Sequence, residues 1–224
     1  MTFEYIRQSL FFFRNNFKTL AIINLPFIIL SYFIFAQFDL SIENQTPEQL
    51  ANTMLVISGF NLLFMPIYWG ASIVFMQSSM QEKIYSPSQC IVASIKLWPQ
   101  LLVVFFFYTL FISLGFMAFI VPGIYFGIRL SLADYICVTE KRSTMQCFKQ
   151  SWERTAQYFW PLFQGIGIIT IGILLLRSFT LSFFDGLFPD SQSLRILLNT
   201  GFDLMNVLVL IYGFRIYCLI KTEL

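Results

Sequence analysis

Residues 97–128, LWPQLLVVFFFYTLFISLGFMAFIVPGIYFGI, run for 32 positions without a charge. A helix crossing the hydrocarbon core of a bilayer needs about 20 mostly apolar residues, so the run is too long for one span. Pro122-Gly123 supplies the break: residues 97–121 read as one span and 122–139 as the next, joined at a Pro122-Gly123 corner. Uncharged runs at 19–38, 49–81 and 155–176 give three more spans, and 196–220, apolar apart from Asp203 and Arg215, gives a sixth. Membrane strands would alternate in polarity, and these segments do not. The expected fold is all-α, a polytopic membrane helix bundle of about six transmembrane helices forming a single integral membrane domain over residues 1–224.

The composition agrees. The chain is 57% hydrophobic and 12% charged, against roughly 25% charged in soluble domains, and its mean hydropathy is +0.71. It contains no histidine, which removes the commonest metal ligand and the commonest general base. Cys90, Cys137, Cys147 and Cys218 have no C-x-x-C spacing and fall toward the cytoplasmic half of the predicted topology. Their default role is reduced and structural, with metal or redox chemistry the rival. No paired carboxylates and no nucleophile–base motif stand out, so the chain is read as a non-enzyme with no catalytic residue, no metal and no cofactor.

Charge sets the orientation. With six spans both termini share a side, and Arg7, Arg14, Lys18, Lys83, Lys96, Lys141, Arg142, Lys149, Arg154, Arg215 and Lys221 lie there, against Arg177 and Arg195 opposite. By the positive-inside rule both termini are expected in the cytoplasm. The first exterior loop, with Asp39, Glu43 and Glu48, has no Lys or Arg. No small-residue cleavage site follows Phe35, so the first span is read as retained.

Phe3, Ile6, Leu10, Phe13 and Phe17 recur at helical spacing, with Glu4, Arg7, Arg14 and Lys18 elsewhere round the wheel. This amphipathic helix suits either the cytoplasmic interface, among acyl chains and anionic headgroups, or a seat on its own bundle. Thr46-Pro47-Glu48-Gln49 and Ser86-Pro87-Ser88-Gln89 are capping patterns that start helices, the former with a kink expected near Pro66 or Gly70. The latter opens a short interfacial helix that Trp98-Pro99 leads into the third span. After the fourth span, Ser143–Gln146 repeats the cap, and Met145, Phe148, Trp152, Ala156 and Phe159 form a stripe ending at Trp160-Pro161. Ile6-Arg7-Gln8-Ser9-Leu10 aligns without a gap with Phe148-Lys149-Gln150-Ser151-Trp152, Phe17 with Phe159 and Leu20 with Leu162. Either the chain contains a three-fold internal repeat of interfacial helix, span, corner and span, or an abundance of Phe and Leu imitates one.

Three ionisable groups fall inside spans, where each marks a functional site or a structural pair. Arg129 is seven residues beyond Pro122 and Asp203 eight beyond Arg195, about 10 and 12 Å from the exterior side. Matching depths predict an ion pair between the fourth and sixth spans. Asp134 lies about 140 degrees round the helix from Arg129. It is either protonated, bonded to hydroxyls or lining a polar cavity. Arg177 and Arg215, near span ends, are expected to snorkel.

The ordered set V-P-G-I-x(4)-R-L-x-L-A from Val121, then Glu140, Ser151-Trp152 and Phe159-Trp160, resembles the YciC family of uncharacterised bacterial inner-membrane proteins. It is also similar to the wider superfamily containing the membrane domain attached to some glycerophosphodiester phosphodiesterases. The likeness includes Phe12–Phe17 (FFRNNF), the Thr46–Gln49 cap and Ile211–Tyr217, and so covers nearly the whole chain. It implies an all-helical protein of the bacterial inner membrane. It transfers no catalytic residues, because the phosphodiesterase chemistry belongs to a separate soluble domain. Asp134 departs from the Pro or apolar residue expected in relatives.

The function expected from the sequence is that of a non-enzymatic envelope or lipid-associated protein. Its partner is membrane lipid rather than nucleic acid, met through the basic residues Arg7, Arg14, Lys149 and Arg154. The alternative is a small transporter or channel for an amphiphile or ion, suggested by Asp134 and the kink-prone Pro26, Pro66 and Pro99.

Overall fold

A computed structural model describes residues 2–35, 46–83, 85–188 and 191–223. Among these residues every regular element is an α-helix: α1 (Thr2–Asn15), α2 (Phe17–Phe35), α3 (Pro47–Met80), α4 (Pro87–Ala118), α5 (Ile120–Leu130), α6 (Ala133–Glu140), α7 (Thr144–Leu187), α8 (Gln192–Met205) and α9 (Val207–Glu223). Six helical stretches are long and apolar enough to cross a membrane, with α5–α6 and α8–α9 each counting as one. The polytopic helical bundle is therefore present. The last stretch is its centre, with 61% of its most apolar residues buried against 11% for Glu48–Met80. Tyr212, Ile216 and Tyr217 of α9 pack there with Leu20, Met76 and Ile136.

Both Pro-led helix starts form full capping boxes: Thr46 with Gln49 and Ser86 with Gln89 each exchange side-chain and backbone bonds. Ser143 makes no such bond at the start of α7. The corner is displaced from the expected one. The turn is the single extended residue Phe119, and Pro122 sits in the first turn of α5, where its missing N–H is no loss. The backbones of α4 and α5 then meet at glycines. A Cβ on Gly115 would lie 2.7 Å from Gly123 Cα, so only the small residue permits this approach. Nor are the interfacial segments of the later units separate helices, since α4 runs unbroken through Pro99 and α7 through Pro161.

The breaks fall instead within the fourth and sixth spans, at Ser131–Leu132 and at Asn206. In lipid a break must be satisfied from within the protein. At the first, Ser151 of α7 donates from Oγ to Arg129 O (2.9 Å) and accepts from the Leu132 N–H (3.1 Å), and the Thr155 hydroxyl lies 3.0 Å from the same carbonyl oxygen. In the preceding unit Ser94 of α4 donates to Ile67 O of α3 (2.7 Å), and Trp98 Nε1 donates to Leu63 O (2.7 Å), on either side of Pro66. Consecutive units thus place a buried serine from an incoming helix on the weakened return helix of the unit before. The helix α1 packs on α9, where Arg215 Nε donates to Gln8 Oε1 (2.9 Å), and closes the order into a ring. It docks through Tyr5, Ser9 and Phe12, leaving Phe3, Leu10 and Phe11 exposed, as is Phe17 at the start of α2, so it both packs on the bundle and presents an apolar surface.

Tyr212 of α9 lies over Gly165 of α7 and donates to Pro161 O (2.6 Å). Ser151→Ala leaves the Leu132 N–H unmet, and should destabilise by about 1–3 kcal/mol, the cost of orphaning a buried polar group. A lower thermal midpoint in detergent, with earlier proteolysis near residue 131, is the expected result; an unchanged midpoint would contradict the clasp. Gly165→Val drives into the Tyr212 ring and should cost about 1–3 kcal/mol. Gly167→Val, which meets nothing within 4 Å, should melt as the parent does.

Candidate functional site

Between α2, α3 and the α8–α9 break lies a cavity of about 540 Å³ lined by Asn24, Ser31, Tyr32, Asn61, Tyr68, Asp203 and Asn206, with apolar residues including Ile28 and Val207. Asp203 accepts from the Tyr32 hydroxyl at Oδ2 (2.5 Å) and faces Arg177 Nη1 from Oδ1 (3.5 Å). The expected Arg129–Asp203 pair is therefore absent, and Arg177 does not snorkel. The cause is the length of α7: it continues to Leu187, so Arg177 is ten residues, about 15 Å, short of the helix end. There it meets the helix that follows it. Farther along the cavity, Asn24 is fully buried and donates from Nδ2 to Leu20 O (2.8 Å) and Ser72 Oγ (3.0 Å). Its Oδ1 has no donor among the described residues. Eight residues of α2 separate Asn24 from Tyr32, so the polar slot is about 12 Å long on that wall.

A second cavity of about 340 Å³ lies between α3, α4, α5, α6 and α9. Its lining is mostly apolar, from Val104, Phe105, Ile112, Ile124, Ile128 and others, and its polar members include Tyr108, Ser131, Asp134 and Tyr135. Asp134 thus faces a mostly apolar cavity, which rules against the polar-cavity alternative among the three that the sequence left open. It sits in the first turn of α6, where a negative charge is favoured. Its Oδ1 accepts the Tyr135 N–H (2.8 Å), and no cation pairs with it among the described residues. Met65, Trp69 and Val209 belong to both linings. The polar and the apolar slot therefore stand side by side with one shared wall, whose Trp69 ring is braced edge-on by Phe105 (5.9 Å, 87°).

The basic residues separate into two kinds. Arg7, Arg14 and Lys149 are exposed, Arg7 with only Glu4 at 4.0 Å. Arg154 leaves the expected basic face, because both its terminal nitrogens bond Glu140 (2.5 and 3.2 Å) and its side chain is 16% exposed. Glu140 also receives the Tyr217 hydroxyl (3.0 Å) and Arg142 Nε (3.3 Å), and ties α6, α7 and α9 together. Arg129 lies against the faces of Trp152 (4.5 Å to the centroid) and Tyr125 (5.8 Å). The four cysteines are buried and unbridged. No group of three metal-ligating side chains occurs among the described residues. Sequence reasoning missed Tyr32, Tyr68 and Trp69; only the polar Asn24 in an apolar run gave a sign of the slot.

Residues 35–219 match a family described as "Uncharacterised protein family (UPF0259)". A relative described as a UPF0259 membrane protein from Yersinia pestis (strain Pestoides F) is 31% identical over 183 residues, covering 80% of this chain and 70% of the relative. A UPF0259 membrane protein of Yersinia pseudotuberculosis (serotype O:1b, strain IP 31758) has the same identity and coverage. No solved structure matches the chain. With most of its length matched, the chain belongs to the uncharacterised membrane protein family UPF0259.

Proposed function

We propose that the chain is a YciC-like, non-enzymatic, lipid-associated protein of the bacterial inner membrane that holds an amphiphile in its paired slots. It crosses the membrane six times with both termini in the cytoplasm, and it is related to the membrane domain that accompanies some glycerophosphodiester phosphodiesterases. The observation that carries the proposal is the wall of Met65, Trp69 and Val209 common to a polar and an apolar cavity. An amphiphile has two such halves, and a site lined by hydrophobic groups with a few placed polar ones is the usual form of a small-molecule site. The headgroup meets Asp203, Tyr68 and the unmatched Asn24 carbonyl, and the chain meets the apolar slot. Arg7, Arg14 and Lys149 face anionic headgroups at the cytoplasmic surface.

A specific observation favours transport of an amphiphile or ion as a second reading: Asp134 is a carboxyl group facing an apolar slot with no paired cation among the described residues.

Mass spectrometry of lipid extracted from the protein in mild detergent tests the first reading. Tyr68→Phe and Asp203→Asn in the polar slot, and Thr109→Trp in the apolar one, should each reduce bound amphiphile by roughly tenfold, as loss of one charge-assisted or steric element does. Equal amounts in all folded variants would end the proposal. A flux assay in proteoliposomes separates the second reading. For a binding protein, parent and Asp134→Asn should both stay at the level of empty liposomes; flux in the parent that disappears in the variant would establish transport.

A further inference from the structure

Arg129 is a buried cation with no paired anion among the described residues. The residue is 8% exposed, and its Nε has no acceptor among the described residues. Three carboxylates are engaged elsewhere: Asp203 with Arg177 and Tyr32, Glu140 with Arg154 and Arg142, and Asp185 with Arg195. Asp134 takes a backbone N–H, and Arg129 appears in no ion pair or side-chain hydrogen bond among the described residues. The rings of Trp152 and Tyr125 at 4.5 and 5.8 Å hold the guanidinium plane. A ring face returns only part of what desolvating an unpaired cation costs, and it leaves the Nε–H donor unmet.

The surroundings indicate where an anion comes from. Tyr125 is 41% exposed and meets Phe159 at a tilt (5.5 Å, 40°), which in turn meets Trp160 (5.7 Å) and Phe163 (6.2 Å). Ile124, Trp160 and Phe163 are also exposed. This is an aromatic and aliphatic skin on helices that cross the membrane, suited to acyl chains and to the boundary where Trp and Tyr rings meet headgroups. Its flat donor fork matches a phosphate in particular.

We propose that Arg129, clamped by Trp152 and Tyr125, is a binding site for the phosphate of an anionic phospholipid whose chains lie on the Ile124–Phe163 surface. The site borders the apolar slot, with Ile124 common to both, but its anion-binding group is Arg129, which lines neither slot, so the proposal stands even if the slots are empty.

Native mass spectrometry tests this on protein equilibrated with mixed vesicles of a zwitterionic and an acidic phospholipid, with circular dichroism and gel filtration confirming the fold of each variant. The parent should retain acidic lipid preferentially. Arg129→Gln should lower that retention roughly tenfold, the loss of one charged contact. Arg129→Lys, with the charge but not the flat fork, should fall between. Equal retention of both lipids by the parent overturns the proposal whether or not a variant folds, and so does a folded Arg129→Gln that retains acidic lipid normally. Displacement of the lipid by inorganic phosphate at comparable concentration would overturn the lipid as its source.

Discussion

The fold depends on two hydroxyl groups meeting an interrupted backbone. Between Leu130 and Ala133 the fourth span stops being a helix, and in an apolar medium an open N–H and an open C=O each cost several kcal/mol. Ser151 and Thr155 supply what water would supply elsewhere. This satisfaction allows α6 to take a new course. That course carries Asp134 to the apolar slot and Glu140 to Arg154 and Tyr217, and it fixes α7 against α5. Removing the clasp would affect the slot, the ion cluster and the aromatic clamp together.

The intramembrane charges follow from the same economy of partners. Arg177 and Asp203 are placed by each other across α7 and α8, Arg129 by a ring face and Asp134 by the Tyr135 N–H. Trp69 has a comparable role for solvation, because it separates a slot rich in amides and phenols from one rich in Val, Ile and Phe. The two slots therefore keep distinct polarity at the distance of one side chain.

The six spans and the two Pro-led caps were legible in the sequence, because apolar length and local hydrogen bonding are properties of contiguous residues. The corner was misplaced by three residues, since a Pro-Gly pair reads as a stop when Pro122 begins a helix. The division at Pro99 and Pro161 was misread for the opposite reason: Pro weakens a helix without always ending it. The breaks at Leu132 and Asn206 left no local sign, for the hydroxyls that permit the first lie twenty residues away on another helix. Pairing Arg129 with Asp203 used depth alone and ignored azimuth and the true length of α7. The slot beside Asn24 depends on α3 and α8, which no spacing within α2 reveals.

The seat of α1 has a consequence for assembly. Gln8 and Arg215 are 207 residues apart, so α1 rests on a helix made some two hundred residues after it. Closing contacts between distant parts of a chain is slow, because the intervening loop entropy is lost before the contact forms. Until α9 arrives, α1 has only part of its packing surface, such as Phe75 of α3 against Phe12, and the early hairpins persist in the bilayer as an open arc. The ring is therefore completed only after synthesis has passed residue 215, and the interval before closure is when a chaperone or protease of the membrane has access to that unfilled edge.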